Sequence, residues 1–433
     1  MTPGAGIGIG VDVGTSGVRA VALDTAGARL AMAAEPLPAA VRTAAGGVHQ
    51  DPALWWQALE RVLRRLCATT DLGAQPCALC LDGTSATVLL THRDGTPYGS
   101  ALLYNDRSAM RAAARVAATA PADSPAHGPS ASLAKALRLL ASTNADPEDV
   151  RVLHQADWLT GRLLARFGDS DWNNALKLGF DPAMERWPRW LAALPLPMQA
   201  LPQVHAPGTP LGAIAPAAAE ATGLPGDTLI CAGTTDSTAA VLATGAHEPG
   251  DAVTSLGSTL VLKIIAERPV AAADFGVYSH RLADRWLVGG ASNGGGAVLR
   301  AHFDDAALAR LSMRIDPQQP SGLDYYPLPG PGERFPVQDP LLEPRLTPRP
   351  RDDVRFLHGL LEGIARIERD GYRRLTQLGA PAPRRVLSIG GGAGNAVWTA
   401  LRRRLLGIEV IPAPEQEAAA GAARLALAAL AGA

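Results

Sequence analysis

What the chain has little of sets the first limits. Its 433 residues include only three lysines, Lys135, Lys177 and Lys263, so nearly all positive charge is arginine. A P-loop needs glycine directly before its lysine, and none of the three has one, which excludes that class of nucleotide hydrolase. Cysteine is equally scarce, with Cys67, Cys77, Cys80 and Cys231 alone. The single pair Cys77 and Cys80 has no second pair to complete a zinc site, and it lies in an apolar run that reads as a buried strand. Scarce cysteine suits a reducing compartment. No basic segment opens the chain ahead of an apolar one, and no uninterrupted apolar run is long enough to span a bilayer. A net charge of -1 supplies no field for nucleic acid or an anionic membrane. The expectation is a cytoplasmic protein without nucleic-acid or membrane partners.

What is present is ordinary for a globular chain, with 47% apolar and 19% charged residues. The length exceeds one usual hydrophobic core, so two domains are expected. Residues 7–13 are β-prone and run into a glycine turn at 14–17, a second strand at 18–24 and a third near 29–33. Asp51 caps a helix whose first turn holds Pro52, with Trp55, Leu59, Val62 and Leu66 on one face. The second half repeats strand, glycine turn, strand at 252–255, 257–259 and 260–265, so TSLGSTLVL faintly echoes VDVGTSGVR. A boundary follows the strand and helix around GTTDSTAA. It gives an N-terminal lobe over 1–244 and a C-terminal lobe over 245–433, with a final helix from about 415 able to pack back on the first lobe. The Pro- and Gly-rich stretch 317–350 reads as a long ordered loop. A helix over 353–378 and a strand-turn-helix around GGGAGN complete the pattern.

Four donor-rich turns carry chemistry. In Asp12-Val13-Gly14-Thr15-Ser16-Gly17-Val18-Arg19, small residues leave backbone N–H groups open, and the hydroxyls of Thr15 and Ser16 add donors suited to phosphate. Asp12 closes the strand, where a carboxylate can hold hydrated Mg2+ beside phosphates. Asp236, in Gly233-Thr234-Thr235-Asp236-Ser237-Thr238, follows a buried strand and opens an Ala-rich helix. Taken alone it reads as a helix cap, and in a polar site it can serve as a general base. Gly257-Ser258-Thr259 is a second phosphate-sized turn. Gly390-Gly391-Gly392-Ala393-Gly394-Asn395 has no side chains to obstruct a flat base. The earlier Gly4-Ala5-Gly6-Ile7-Gly8 run precedes its strand instead of following it, which argues against a dinucleotide fold.

These strings, together with GGVHQDPALWW, LYNDRSA, SDWNNALKLGFD, PGPGERFP and EQEAAAGAARLA, make the chain resemble the FGGY carbohydrate kinases from end to end. The resemblance implies an α/β, two-lobed actin-like ATPase (ribonuclease H-like) fold with an interlobe cleft, and transfer of phosphate from ATP to a sugar. It implies that Asp12 and Thr15 act around Mg2+ and the ATP phosphates, with Gly14, Ser16 and Arg19 in the same turn. It casts Asp236 as the catalytic base and a second carboxylate near the metal. Gly257, Ser258 and Thr259 would contact the γ-phosphate, and Gly391, Gly392 and Asn395 the adenosine.

The sugar is expected in the first lobe, against Asp82, Thr84, Ser85 and Asp106, whose short polar side chains can bond a polyhydroxy chain. An ion pair of Asp106 with an arginine, and a plain turn at Thr84 and Ser85, are the competing readings. Xylulose-using members usually carry a Gln-Met/Gln-His stretch where this chain has Gly83 to Ala86. The DGTS and YNDR strings and the short length look like the compact D-ribulose/D-xylulose kinase branch. D-ribulose is therefore the first expectation and D-xylulose, or another pentulose or polyol, the second. A catalytically weak ATP- and sugar-binding sensor is the alternative of a different class. The partners implied are the sugar and ATP, in a monomer or homodimer.

Overall fold

The computed structural model describes residues 6–72 and 75–432, so Gly4 and Ala5 of the first glycine run lie outside the described residues. The chain divides into two compact units, residues 1–243 with 417–433, and residues 244–416.

Unit 1 is built on a six-stranded sheet. Its strands are β1 (Ile7–Val13), β2 (Gly17–Asp24), β3 (Arg29–Pro36), β4 (Cys77–Gly83), β5 (Pro210–Ala213) and β6 (Leu229–Thr235). Their spatial order is β5-β6-β4-β1-β2-β3. The three central strands, β1, β4 and β6, run parallel, while β2, β3 and β5 are antiparallel to their neighbours. Successive side chains of a strand face opposite sides, and β1 uses this fully. Ile7, Ile9, Val11 and Val13 share one hydrophobic core with Trp55, Leu59, Val62 and Leu66 of helix α1 (Pro52–Thr69). Asp51 caps α1 by accepting from the Ala53 N–H at 2.9 Å.

The other face of β1 carries Gly8 and Gly10, against which the final helix, Ala418–Ala431, lies almost backbone to backbone. A Cβ on Gly10 would stand 1.8 Å from the Ala419 carbonyl oxygen. The alternating glycines of the first strand therefore make room for a helix. Ala422, Ala426 and Ala429 of that helix cover Ala78 and Cys80 of β4 and Cys231 of β6. Cys77 and Cys80 are thus core residues of a buried strand, as their apolar setting suggests.

Unit 1 also holds a smaller five-stranded sheet (Val41–Arg42, Val48–Gln50, Ala101–Leu102, Val88–Thr91 and Arg151–His154). Helices α2 (Met110–Ala117) and α3 (Ser132–Ser142) follow in sequence beside it. Helix α4 (Asp236–Thr244) begins directly where β6 ends.

Unit 2 repeats the plan with β7 (Asp251–Leu256), β8 (Leu260–Ala266), β9 (Tyr278–Leu282), β10 (Arg285–Ser292), β11 (Arg385–Ile389) and β12 (Glu409–Pro412), in the order β9-β10-β8-β7-β11-β12. As in unit 1, the opening strand pairs antiparallel with the next one across a glycine turn and parallel with a later strand. The faint sequence repeat is therefore a topological one. Helix α5 (Asp353–Gln377) covers this sheet with Phe356, Leu360, Ile364 and Ile367. Beneath it Arg402 of α6 (Ala396–Leu406) donates twice to the buried Glu368, at 2.6 and 2.7 Å, and once to Ser388. Glu368 also accepts from Thr254 Oγ1 at 2.6 Å, so a buried charge pair is closed by hydrogen bonds. Residues 317–350 contain no helix and no extended strand, as their proline content suggests.

Candidate active site

The parallel core of unit 1 places three carboxylates at one edge. Asp12 and Asp82 are direct register partners near the ends of β1 and β4, and Asp82 is in turn the partner of Thr234 on β6. Asp236 follows two residues later as the first residue of α4. Ligands in open α/β sheets gather outside the carboxyl ends of parallel strands, and this is that end.

The three are unlike in environment. Asp236 is half-buried and accepts from the Ser237 N–H at 2.7 Å. Asp12 is nearly buried, with Arg19 Nη1 3.4 Å from its Oδ2. Burial raises its pKa, and the charge of Asp236 adds to that rise, while Asp82 and Arg19 oppose it. Asp82 is fully buried, and neither of its oxygens receives a bond from an N–H or O–H of the protein. Its near neighbour is the Asp12 carboxyl, which can bond to it only when one of the two holds a proton. Burial first, then the charges of Asp12 and Asp236, push Asp82 well above the usual carboxylate range. Asp82, expected at the sugar, has its carboxyl buried in the protein beside Asp12.

The glycine turn after β1 is closed by a bond from the Gly14 N–H to the Gly17 carbonyl, leaving Thr15 and Ser16 exposed. Arg19 bridges this turn to the start of the final helix through Glu417, 3.8 Å away.

The remaining sugar candidates separate. Thr84 is buried, donating from its N–H and hydroxyl to Gln155 Oε1 at 3.1 and 2.9 Å and sharing a hydroxyl bond with Thr87. Ser85 is half-buried beside it. Asp106, also expected at the sugar, is bonded within the protein. It is fully buried, with Oδ2 accepting from the Val48 N–H at 2.7 Å and Oδ1 from the Ser108 N–H and hydroxyl. Arg138 Nη1 lies 3.9 Å from Asp106 Oδ1, the ion pair with an arginine that was the competing reading. Lys135 donates to the Leu103 carbonyl at 2.8 Å, and the two contacts clamp both ends of Tyr104-Asn105. Asn105 Oδ1 within that segment is buried without a donor.

Sequence reasoning gave no role to Asp171, Asn173 and Asn174, although SDWNNALKLGFD was singled out. Asn174 donates to Asp171 and to the Thr234 carbonyl at 2.6 and 3.0 Å, and Asn173 donates to the Thr234 hydroxyl at 3.1 Å. They brace the last residues of β6 just before Asp236. Burial, then the charge of Asp157, raises Asp171 to about 6.

Unit 2 gathers the other group. A cavity of about 600 Å³ is lined by Leu256, Arg300, Gly391, Gly392, Asn395 and Trp398, among others. Gly257-Ser258-Thr259 borders it, held by bonds from the Gly296 N–H to Gly257 O and from the Ala297 N–H to Ser258 O. A Cβ at Gly392 would meet the Trp398 ring at 2.5 Å, whereas one at Gly391 would meet nothing within 4 Å. Packing therefore demands glycine at 392 but leaves 391 open toward the cavity. Asn395 caps α6 by accepting from the Trp398 N–H and donates to Ser312 Oγ, so its amide is engaged at both ends. Arg300 was not foreseen. It is exposed, lines the cavity and donates to Ser258 Oγ at 2.8 Å, which puts a guanidinium on the phosphate-sized turn. No local string marks it, because its partner lies 42 residues earlier.

The FGGY carbohydrate kinase N-terminal domain model matches residues 7–124, and the C-terminal domain model of the same family matches residues 252–430. The chain belongs to the FGGY family of carbohydrate kinases. This FGGY kinase is 27% identical to a xylulose kinase of Escherichia coli (strain K12), over 96% of its own length and 89% of the relative's. In structure it matches a xyloylose kinase from Brucella ovis with a TM-score of 0.87 at 24% identity, covering 99% of this chain and 91% of that one. A gluconate kinase from Lactobacillus acidophilus matches with a TM-score of 0.85 at 19% identity, covering 98% and 89%. The α/β fold of this kinase is therefore the actin-like fold of its family. Among the described residues no helix is long and apolar enough to cross a membrane.

Proposed function

We propose that this kinase transfers the γ-phosphoryl group of ATP to a terminal hydroxyl of a five-carbon ketose. The observation that carries the reading is the placement of Asp12 and Asp236 at the carboxyl ends of parallel strands, bracketing the sealed Asp82. Asp236 is half-buried, and one of its oxygens already accepts a backbone N–H, which fixes its orientation. It is the base: it takes the hydroxyl proton as the sugar oxygen bonds to the γ-phosphorus and the bond from that phosphorus to the ADP oxygen breaks. Asp12, with Asp236 beside it, suits Mg2+, which binds through one or two carboxylates plus phosphates and supplies charge neutralisation there. Gly14, Thr15, Ser16 and Arg19 serve the phosphates in unit 1. Gly257, Ser258 and Thr259 serve the γ-phosphate in unit 2, and the cavity beside Gly391, Gly392 and Asn395 takes the adenosine. Ser85 and the Tyr104-Asn105 segment are the sugar-facing candidates that remain once Asp82, Thr84 and Asp106 are committed inside the protein.

Two pentuloses lead. D-ribulose is favoured by Gly83 to Ala86 standing where xylulose-using members carry Gln-Met/Gln-His. D-xylulose is favoured by the curated relatives, which are xylulose kinases at 26–28% identity. The deciding experiment is coupled ADP release over C3 to C6 ketoses and polyols. A kcat/KM highest for a pentulose supports the reading, and a preference for a triose, hexose or polyol rejects it. Asp236→Ala is expected to lower kcat by roughly 10²- to 10⁴-fold with ADP binding retained. Turnover near wild type in that variant would remove Asp236 from the role of base.

A further inference from the structure

Unit 1 holds a second cavity, of about 700 Å³, between α2 and α3, with Pro195 at its rim. Its lining has one sign of charge. Arg111 and Arg115 project from α2 and Arg138 from α3, and no acidic side chain lines it. Arg111 and Arg115 are exposed, and neither has an ion-pair partner among the described residues. Like charges four residues apart on a helix repel by a few tenths of a kcal/mol, roughly 0.2–0.5, which an anion spanning both would offset. The floor is apolar, with Leu137 and Leu140, and Met110 stands 64% exposed at the edge. Arginine at a planar or tetrahedral anion gives paired, charge-assisted bonds, while the leucines suit a compact carbon skeleton.

The third arginine connects this cavity to the sugar segment. Arg138 donates to Ser108 Oγ, and that hydroxyl donates to Asp106, the carboxylate that fixes one end of Tyr104-Asn105. A ligand that engages Arg138 competes with Ser108 and Asp106 for its guanidinium.

We propose that this cavity binds a small phosphorylated metabolite, its phosphate on Arg111, Arg115 and Arg138 and its skeleton on the leucine floor, and that occupancy weakens sugar binding by releasing the Asp106 clamp. The binding half stands on the cavity alone, and the regulatory half rests on the proposed pentulose kinase activity.

Phenyl phosphate, which joins a phosphate to a flat apolar body, is the probe. Isothermal titration calorimetry on the full chain is expected to give a dissociation constant of about 1 mM or tighter. Arg111→Ala/Arg115→Ala is expected to weaken it roughly tenfold, inorganic phosphate to bind more weakly than phenyl phosphate, and phenol not to bind. Both positions are exposed on a helix, where alanine is the best former, and circular dichroism checks that the fold is kept. Phenyl phosphate should raise the sugar KM of the wild type roughly fivefold, leave the ATP KM unchanged, and leave the double variant unaffected. Equal phenyl phosphate binding by wild type and variant, or no saturable binding, overturns the site. Binding without a change in sugar KM overturns the regulatory coupling. A chain that phosphorylates no pentulose sinks the kinase reading, while the calorimetry still decides the site.

Discussion

Asp82 shows how one buried carboxyl sets a pH dependence. The folded protein raises its pKa through burial and the nearby charges of Asp12 and Asp236. Below the ordinary carboxylate range both folded and unfolded chains hold its proton, and the group costs nothing. As pH rises, the unfolded chain releases that proton first, so stability falls until the folded group also ionises. Asp82→Asn removes that loss and keeps a donor for Asp12. Thermal melts should therefore show the variant a few degrees more stable than wild type near pH 7, where 1 kcal/mol is worth about 2–4 °C, with the gap closing toward pH 4. A gap that persists undiminished at pH 4 would show that Asp82 acts through packing and not charge. Arg300 is the matching residue in unit 2. Arg300→Ala should raise the ATP KM roughly tenfold and weaken ADP binding while leaving adenosine binding unchanged. Equal losses for ADP and adenosine would instead mark Arg300 as a structural support of the Ser258 turn.

Glycine spacing acts at the level of whole elements. Gly8 and Gly10 permit the final helix to lie directly on β1, and Gly421 of that helix does the same for α4, where a Cβ would stand 1.9 Å from the Ala239 carbonyl. Gly10→Val should destabilise unit 1 by roughly 3 kcal/mol or more, since both approaching groups are backbone. Limited proteolysis should then cut near Glu417 first, and a variant as resistant as wild type would contradict the close packing. Elements of this kind were largely legible in the sequence. Alternation in 7–13, the Asp51-Pro52 helix start and the glycine turn at 14–17 are local signals read over a few residues. The turns carrying Asp12, Asp236 and Gly257 were legible for the same reason. The Asp106 clamp was not, because its carboxylate meets the Val48 N–H across 58 residues and no local pattern distinguishes a buried acceptor from a sugar contact. The placement of Asp82 beside Asp12 was hidden likewise, because it arises from the parallel register of β1 and β4 and not from any local string.

At the scale of the whole molecule, unit 1 is discontinuous, taking residues 1–243 and then 417–433 from the far end of the chain. Ala422, Ala426 and Ala429 are what cover Ala78, Cys80 and Cys231. Truncation after Gln416 should therefore leave an apolar sheet face bare and yield aggregated protein, measured as loss of the soluble fraction on expression. A soluble, cooperatively melting truncation would show that the sheet stands without its helix.

The same discontinuity has a consequence for synthesis. The strand Ile7–Val13 is completed by a helix, Ala418–Ala431, that lies about 400 residues later, and at about 5–20 residues per second the intervening chain takes roughly 20–80 s to emerge. Throughout that interval the glycine-lined side of the strand is without its partner, so this face stays open to water until Ala418–Ala431 has been made.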